Sequence, residues 1–179
     1  MPVRFTIDGF KSNFRDGQRS NLFYFLPNFP PIAQTGDMGN DRAVYLVKSA
    51  NLPGSSLEET PLPWQGFDFY IAGKHTYEAL TITFNTDYKA NIRLNFEEWV
   101  KKIHNPRTNE YALINEYMND QHLQLLGYDG EPVLEYTLHD CWPSALATAA
   151  LDYGTNEITN FDVTFRYSYY EVSDQITGQ

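Results

Sequence analysis

His139 and Cys141 are the residues of this chain best spaced to do chemistry together. They stand two apart in a run that alternates like a strand, which would put them on one face as a thiol with its imidazole base or as a pair of metal ligands. Neither chemistry finds a third member. Cys141 is the single cysteine, so no internal disulfide or CxxC pair can form, and His122 is distant in sequence. A small buried side chain is the expectation for Cys141. Glu58-Glu59 and Glu97-Glu98 are adjacent carboxylates. Neighbours on a strand or helix point in different directions and do not converge on one bond, so both pairs are expected at the surface. Asp37 to Asp41 (DMGND) has the acids of a calcium loop without its full alternation or closing glutamate. Phosphate loops, the GxSxG elbow and the HExxH helix do not occur. The chain is expected to be no enzyme, with no catalytic residue, no cofactor and no metal.

The elements that would carry these residues are mostly strands. Asn21 to Leu26 is a short aromatic strand stopped by Pro27 and followed by a polar loop to Asp41. Ala43 to Ala50 is apolar apart from Lys48 and Ser49, which predicts a core strand covered on both faces. Leu57 to Pro63 reads as a further extended piece. Phe67, Phe69 and Ile71 alternate with Asp68, Tyr70 and Ala72, and Leu80, Ile82 and Phe84 alternate with Thr81, Thr83 and Asn85, two runs expected to pair as a hairpin. Tyr88, Ile92, Phe96, Trp99, Val100 and Ile103 form one helical stripe, capped by Asp87 and stopped by Asn105-Pro106, with Arg93, Glu97, Glu98, Lys101 and Lys102 facing away from the core. Arg107 to Asp120 suits either a short helix or a loop. His122 to Tyr128 and Val133 to Cys141 read as strands joined at Asp129-Gly130, the second ended by Trp142-Pro143. Phe161 to Tyr169 alternates as a long last strand.

Seven or eight strands and one helix predict a mainly β protein, an antiparallel sandwich or barrel with a flanking α-helix. At 179 residues there is one domain, 21–179, preceded by an arm, 1–20, whose Phe5, Phe10 and Phe14 follow no sustained period. The 16% aromatic and 42% hydrophobic content excludes a disordered chain. No apolar run is long enough for a membrane-spanning helix, and the start lacks the pattern of a signal peptide, so no membrane insertion is expected. Net charge is −10, unsuited to general nucleic-acid binding, and residues 121–179 hold nine acids against Arg166 alone. A solvated acidic surface and a surface that repels polyanions both fit.

Several segments, in order, resemble the tail tube proteins of T-even-like contractile bacteriophages. They are Arg19 to Phe23 (RSNLF), Ala50 to Pro53 (ANLP) leading into Pro61 to Pro63, Ile71 to Gly73 (IAG), Leu80 to Asn85 (LTITFN) and Phe96 to Trp99 (FEEW). Glu135 to Pro143 (EYTLHDCWP) and Asn156 to Tyr169 (NEITNFDVTFRYSY) complete the set. The arm before Arg19 and the stretch Arg107 to Asp120 depart from it.

The resemblance implies a structural protein of the virion, located in the phage tail. It implies homohexameric rings whose strands join in one inner β-barrel, stacked into a tube that conducts DNA without specific binding. Implied partners are other copies of the chain, a tail sheath protein, baseplate and tail terminator proteins, and a tape measure protein inside the tube. The acidic last third would then keep DNA from adhering, with Glu135, Asp162 and Glu157 as lumen-facing candidates; an outward position against basic sheath residues is the alternative. Phe5, Phe10 and Phe14 are candidates for contacts between subunits. Alternatives within the fold are a baseplate or tail-end paralogue and the type VI secretion ring protein. A small ligand-binding or enzymatic β-barrel is the alternative of another class.

Overall fold

Fifteen-residue strand β9, Pro132–Leu146, organises the molecule because it belongs to two half-sheets. A computed structural model of the chain describes residues 6–14, 17–34 and 39–174. The first part of β9 pairs antiparallel with β8 (Asn119–Leu126) and β11 (Tyr169–Asp174), and β8 pairs in turn with β1 (Phe23–Leu26). The second part pairs with β10 (Asn160–Arg166), which is followed in the sheet by β5 (Leu80–Asn85) and β2 (Val47–Ala50). Between the parts, His139 and Asp140 both oppose Asp120 in a β-bulge, with Asp140 at φ 55°. Asp120 clamps this corner. One oxygen accepts from the Asp140 amide at 3.1 Å and the other lies 3.1 Å from His139 Nδ1.

The apolar positions of the alternating strands turn into the space between the half-sheets. Leu80, Ile82 and Phe84 from β5 and Phe161, Val163 and Phe165 from β10 are fully buried. Phe25 of β1 meets Phe84 and Phe165 across the interior at ring-centre distances of 6.3 and 5.9 Å. Helix α3, Asn91–Ile103, closes this core with Ile92, Phe96 and Trp99. Phe96 touches the rings of Phe29, Phe84, Trp99, Phe161 and Phe165. The Trp99 indole donates to the Tyr117 carbonyl at 2.9 Å, so its polar edge is satisfied although the ring is buried.

The sequence-based expectations need several corrections. Tyr88 is 94% exposed and precedes the helix, because the chain turns at Ala90 (φ 54°) and Asp87 Oδ1 instead receives the Ile92 amide at 3.0 Å. Arg93 does not turn fully away: it lies over the Phe161 ring at 4.9 Å, covering the core with its stem. Residues 43–50 are not a doubly covered strand but a helical turn, α2 (Asn40–Ala43), a 3-10 turn (Val44–Leu46) and the half-exposed edge strand β2. Trp142-Pro143 does not end β9. The strand slips register there, and Ser144 Oγ donates to the Thr164 carbonyl at 3.0 Å, so a residue without an amide hydrogen is tolerated. The last strand instead breaks after Arg166 and resumes as β11, following β9 around the same corner. Arg107 to Asp120 contains the two-residue strand β7 (Glu110–Tyr111), which pairs back onto β6 (His104–Asn105), and the short helix α4, Ile114–Tyr117. A further helix, α1 (Ile7–Phe14), lies in the arm.

The largest correction concerns pairing. Phe67 to Tyr77 does not form a hairpin with Leu80 to Asn85. It is strand β4 of a ribbon with β3, Ser55–Trp64, turned by Gln65 and Gly66 at φ 42° and 93°. Gly73 sits where the ribbon bulges, and a Cβ there would approach Glu58 O at 3.0 Å and Thr60 Oγ1 at 2.8 Å.

Candidate assembly surfaces

The corner at Asp140 separates His139 and Cys141, which their spacing in the sequence had put on one strand face. The bulge adds a residue, so His139 points outward while Cys141 points into the core, fully buried, its thiol pushed well up by desolvation and by the nearby Asp120 charge. They do not share a face, and Cys141 is the buried small side chain expected of it. His139 instead stacks on Tyr169 at 4.6 Å, with its Nε2 3.7 Å from Glu171. Glu97 pairs with Arg93 and Glu98 with Lys101 on the surface of α3, and Glu58 and Glu59 are exposed on β3. Asp37 and Met38 lie outside the described residues; Asn40 Oδ1 accepts from the Phe29 amide. Among the described residues no three His, Cys, Asp or Glu side chains are grouped closely enough to hold a metal ion.

The lumen-facing candidates are not brought together. Glu135 is on the outward face of the β8, β9 and β11 half-sheet, 3.1 Å from His122 Nδ1. Asp162 is on the outward face of the other half-sheet and accepts from Thr83 Oγ1 at 2.7 Å. Glu157 is exposed in the connection between β9 and β10. Asp120 and Glu171 join Glu135 on its face, with His122 and His139 between them. Sequence reasoning missed Asp120, whose partners are bulge atoms with no sequence signature.

Of the arm candidates, Phe5 lies outside the described residues. Phe10 and Phe14 are on α1, 61% and 58% exposed, with their rings stacked at 5.1 Å. Thr6 starts this helix, its Oγ1 accepting the Gly9 amide at 3.1 Å. No residue of α1 is buried. The arm is fixed to the body just beyond: Gln18 Nε2 donates to Leu126 O, Tyr128 Oη donates to Gly17 O, and Arg19 lies over the Tyr128 ring.

The β3–β4 ribbon is the larger apolar surface. Its register puts Leu62, Trp64, Phe67, Phe69 and Ile71 on one face, and Trp64, Phe67 and Phe69 are 62%, 64% and 61% exposed. A concavity of about 530 Å³ is lined by Leu62, Pro63, Trp64, Phe67 and Phe69. Among the described residues the ribbon is held at its base, through Glu78 N to Gly54 O at 2.9 Å and the packing of Tyr77 on Tyr167 and Tyr170. Edge strands β1 and β2 have one paired neighbour each, and a groove of about 620 Å³ runs beside them, lined in part by Phe23, Phe25, Tyr45 and Val47. Exposed apolar ribbon and open strand edge of this extent are the features by which one chain is covered by another.

Residues 20–173 match the model of a protein family described as phage tail tube protein. The chain belongs to that family. Its members are structural proteins of the tail, and this tail tube protein is accordingly a virion component and not an enzyme. Relatives in Enterobacteria phage T4 agree. Tail tube protein gp19 is 27% identical over 131 residues, covering 71% of this chain and 80% of gp19. Baseplate tail-tube junction protein gp54 is 29% identical over 135 residues, 73% of this chain and 41% of gp54, so the chain spans less than half of that relative. In fold, this tail tube protein is similar to the tube-terminating cap of the anti-feeding prophage, with a TM-score of 0.64 at 15% identity over 89% of this chain and 92% of the cap.

Proposed function

We propose that this chain is the ring subunit of an inner tail tube: six copies join edge to edge, rings stack axially, and the lumen conducts DNA when a contractile tail fires. The observation that carries the reading is the coexistence of open edge strands with the exposed apolar ribbon. Edge pairing in a ring covers the edges of β1, β2 and β11 laterally, and a contact along the tube axis covers the ribbon. Closed lateral contacts and open axial contacts together make a tube. Sheath, baseplate and terminator proteins would meet its outer wall and ends, and a tape measure protein would occupy it before ejection.

Glu135 is retained as the lumen candidate, since Asp120 and Glu171 share its face and a ring would repeat that acidic patch around one channel. Asp162 points from the opposite half-sheet and fits the outer wall. Replacing Glu135 and Glu171 with lysine should slow ejection while tubes still form; unchanged ejection would remove this face from the lumen.

Likeness to gp54 supports a second reading, a paralogue at the baseplate end of the tube. Light scattering with negative-stain microscopy over a concentration series separates the two. Long hollow tubes from the purified protein support the tube body. Single rings that extend only on a baseplate seed support the junction, and a monomer that ignores the seed overturns both.

A further inference from the structure

We propose that helix α1 of one copy docks on the aromatic face of the β3–β4 ribbon of a second copy. The inference rests on the self-assembly reading above and assigns the two segments that touch. Each is an apolar surface that the described residues of its own chain leave exposed. On α1, Ile7, Phe10 and Phe14 follow spacings of three and four and form one stripe, roughly 10 Å long at the helical rise. On the ribbon, the same face runs roughly 13 Å from the Trp64–Phe67 rung to Ile71, long enough to seat that stripe, and Leu62, Trp64, Phe67 and Phe69 line the concavity described above.

Charge favours pairing between unlike segments over pairing between like ones. Residues 1–20 hold Arg4, Lys11, Arg15 and Arg19 against Asp8 and Asp16, and Ser55–Tyr77 holds Glu58, Glu59 and Asp68 against Lys74. On α1 itself Asp8 and Lys11 balance, so the net +2 of the arm comes from the residues that flank the helix; an arm of that sign meeting the ribbon's net −2 is attractive, whereas two ribbons or two arms repel. Placement favours different copies over one. The arm is pinned at Leu126 and Tyr128, while the ribbon base is held by Tyr170, whose strand partner Leu138 lies opposite Gln121. Five strand residues, roughly 17 Å, separate the anchors. Surfaces that complement each other from separate levels of a protomer produce a head-to-tail contact that propagates.

The test uses two full-length proteins, Phe14→Cys and Phe67→Cys, each keeping the buried Cys141. They are mixed and oxidised at a concentration where light scattering shows association. A Phe14→Cys to Phe67→Cys crosslink is expected at about tenfold the yield of a dimer from either protein alone, the ratio that ~1.4 kcal/mol of preference produces. Association without that crosslink, or with either like pair dominant, overturns the docking and leaves self-assembly standing. No association at any concentration overturns both. A second variant, Phe10→Glu, should lower association without moving the thermal midpoint, because no residue of α1 is buried; unchanged association would count against the helix.

Discussion

Phe96 is the residue on which the interior converges, with five aromatic neighbours drawn from a loop, two strands and its own helix. Phe96→Ala should cost about 3–5 kcal/mol, read as a lower denaturant midpoint, because so many rings cannot all collapse into the vacancy. Tyr167 offers a test by pH. Burial, with Tyr170 as the next contribution, raises its phenol to about 12, so the fold favours the protonated form. An unfolded tyrosine titrates near 10. The stabilisation is therefore complete below about pH 10 and is lost as pH rises from there through about 12. Denaturant midpoints compared at about pH 9 and about pH 11 should fall less for Tyr167→Phe than for the parent chain.

The β3–β4 ribbon is the element whose stability and purpose separate most cleanly. Trp64→Ser with Phe67→Ser removes exposed rings, so the thermal midpoint should move by less than about 2 °C while assembly is lost. Calorimetry and light scattering on one preparation check both halves. The same ribbon shows where sequence reading stops. Alternation identified β5 and β10 because one face of each is buried, and the Asp129-Gly130 turn placed β8 beside β9. Phe67, Phe69 and Ile71 alternate in the same way with both faces in solvent, which in the proposed assembly records a face buried between copies and not within one. Leu57 to Pro63, expected as an extended piece, lies within β3, whose open edge tolerates the missing amide hydrogens of Pro61 and Pro63. His139 and Cys141 were misplaced for a related reason: a one-residue bulge reverses facing, and nothing local to Asp140 announces it.

At the scale of the whole molecule, assembly through aromatic and aliphatic surface has a thermal sign. Burial of apolar area is entropy-driven near room temperature and weakens on cooling. Sedimentation at about 4 °C and about 30 °C should find more assembled protein in the warm sample; the reverse would point to polar contacts as the main drive. The two half-sheets have a mechanical consequence of their own. Strand β9 crosses from one half to the other, and β10 continues into β11 around the same corner. Pulling the halves apart therefore has to stretch two stretches of covalent backbone as well as break hydrogen bonds. In the proposed tube, thrust would pass through each protomer as one body, and the planes of weakness would lie between neighbours, where a spent tube would shear before any subunit yields.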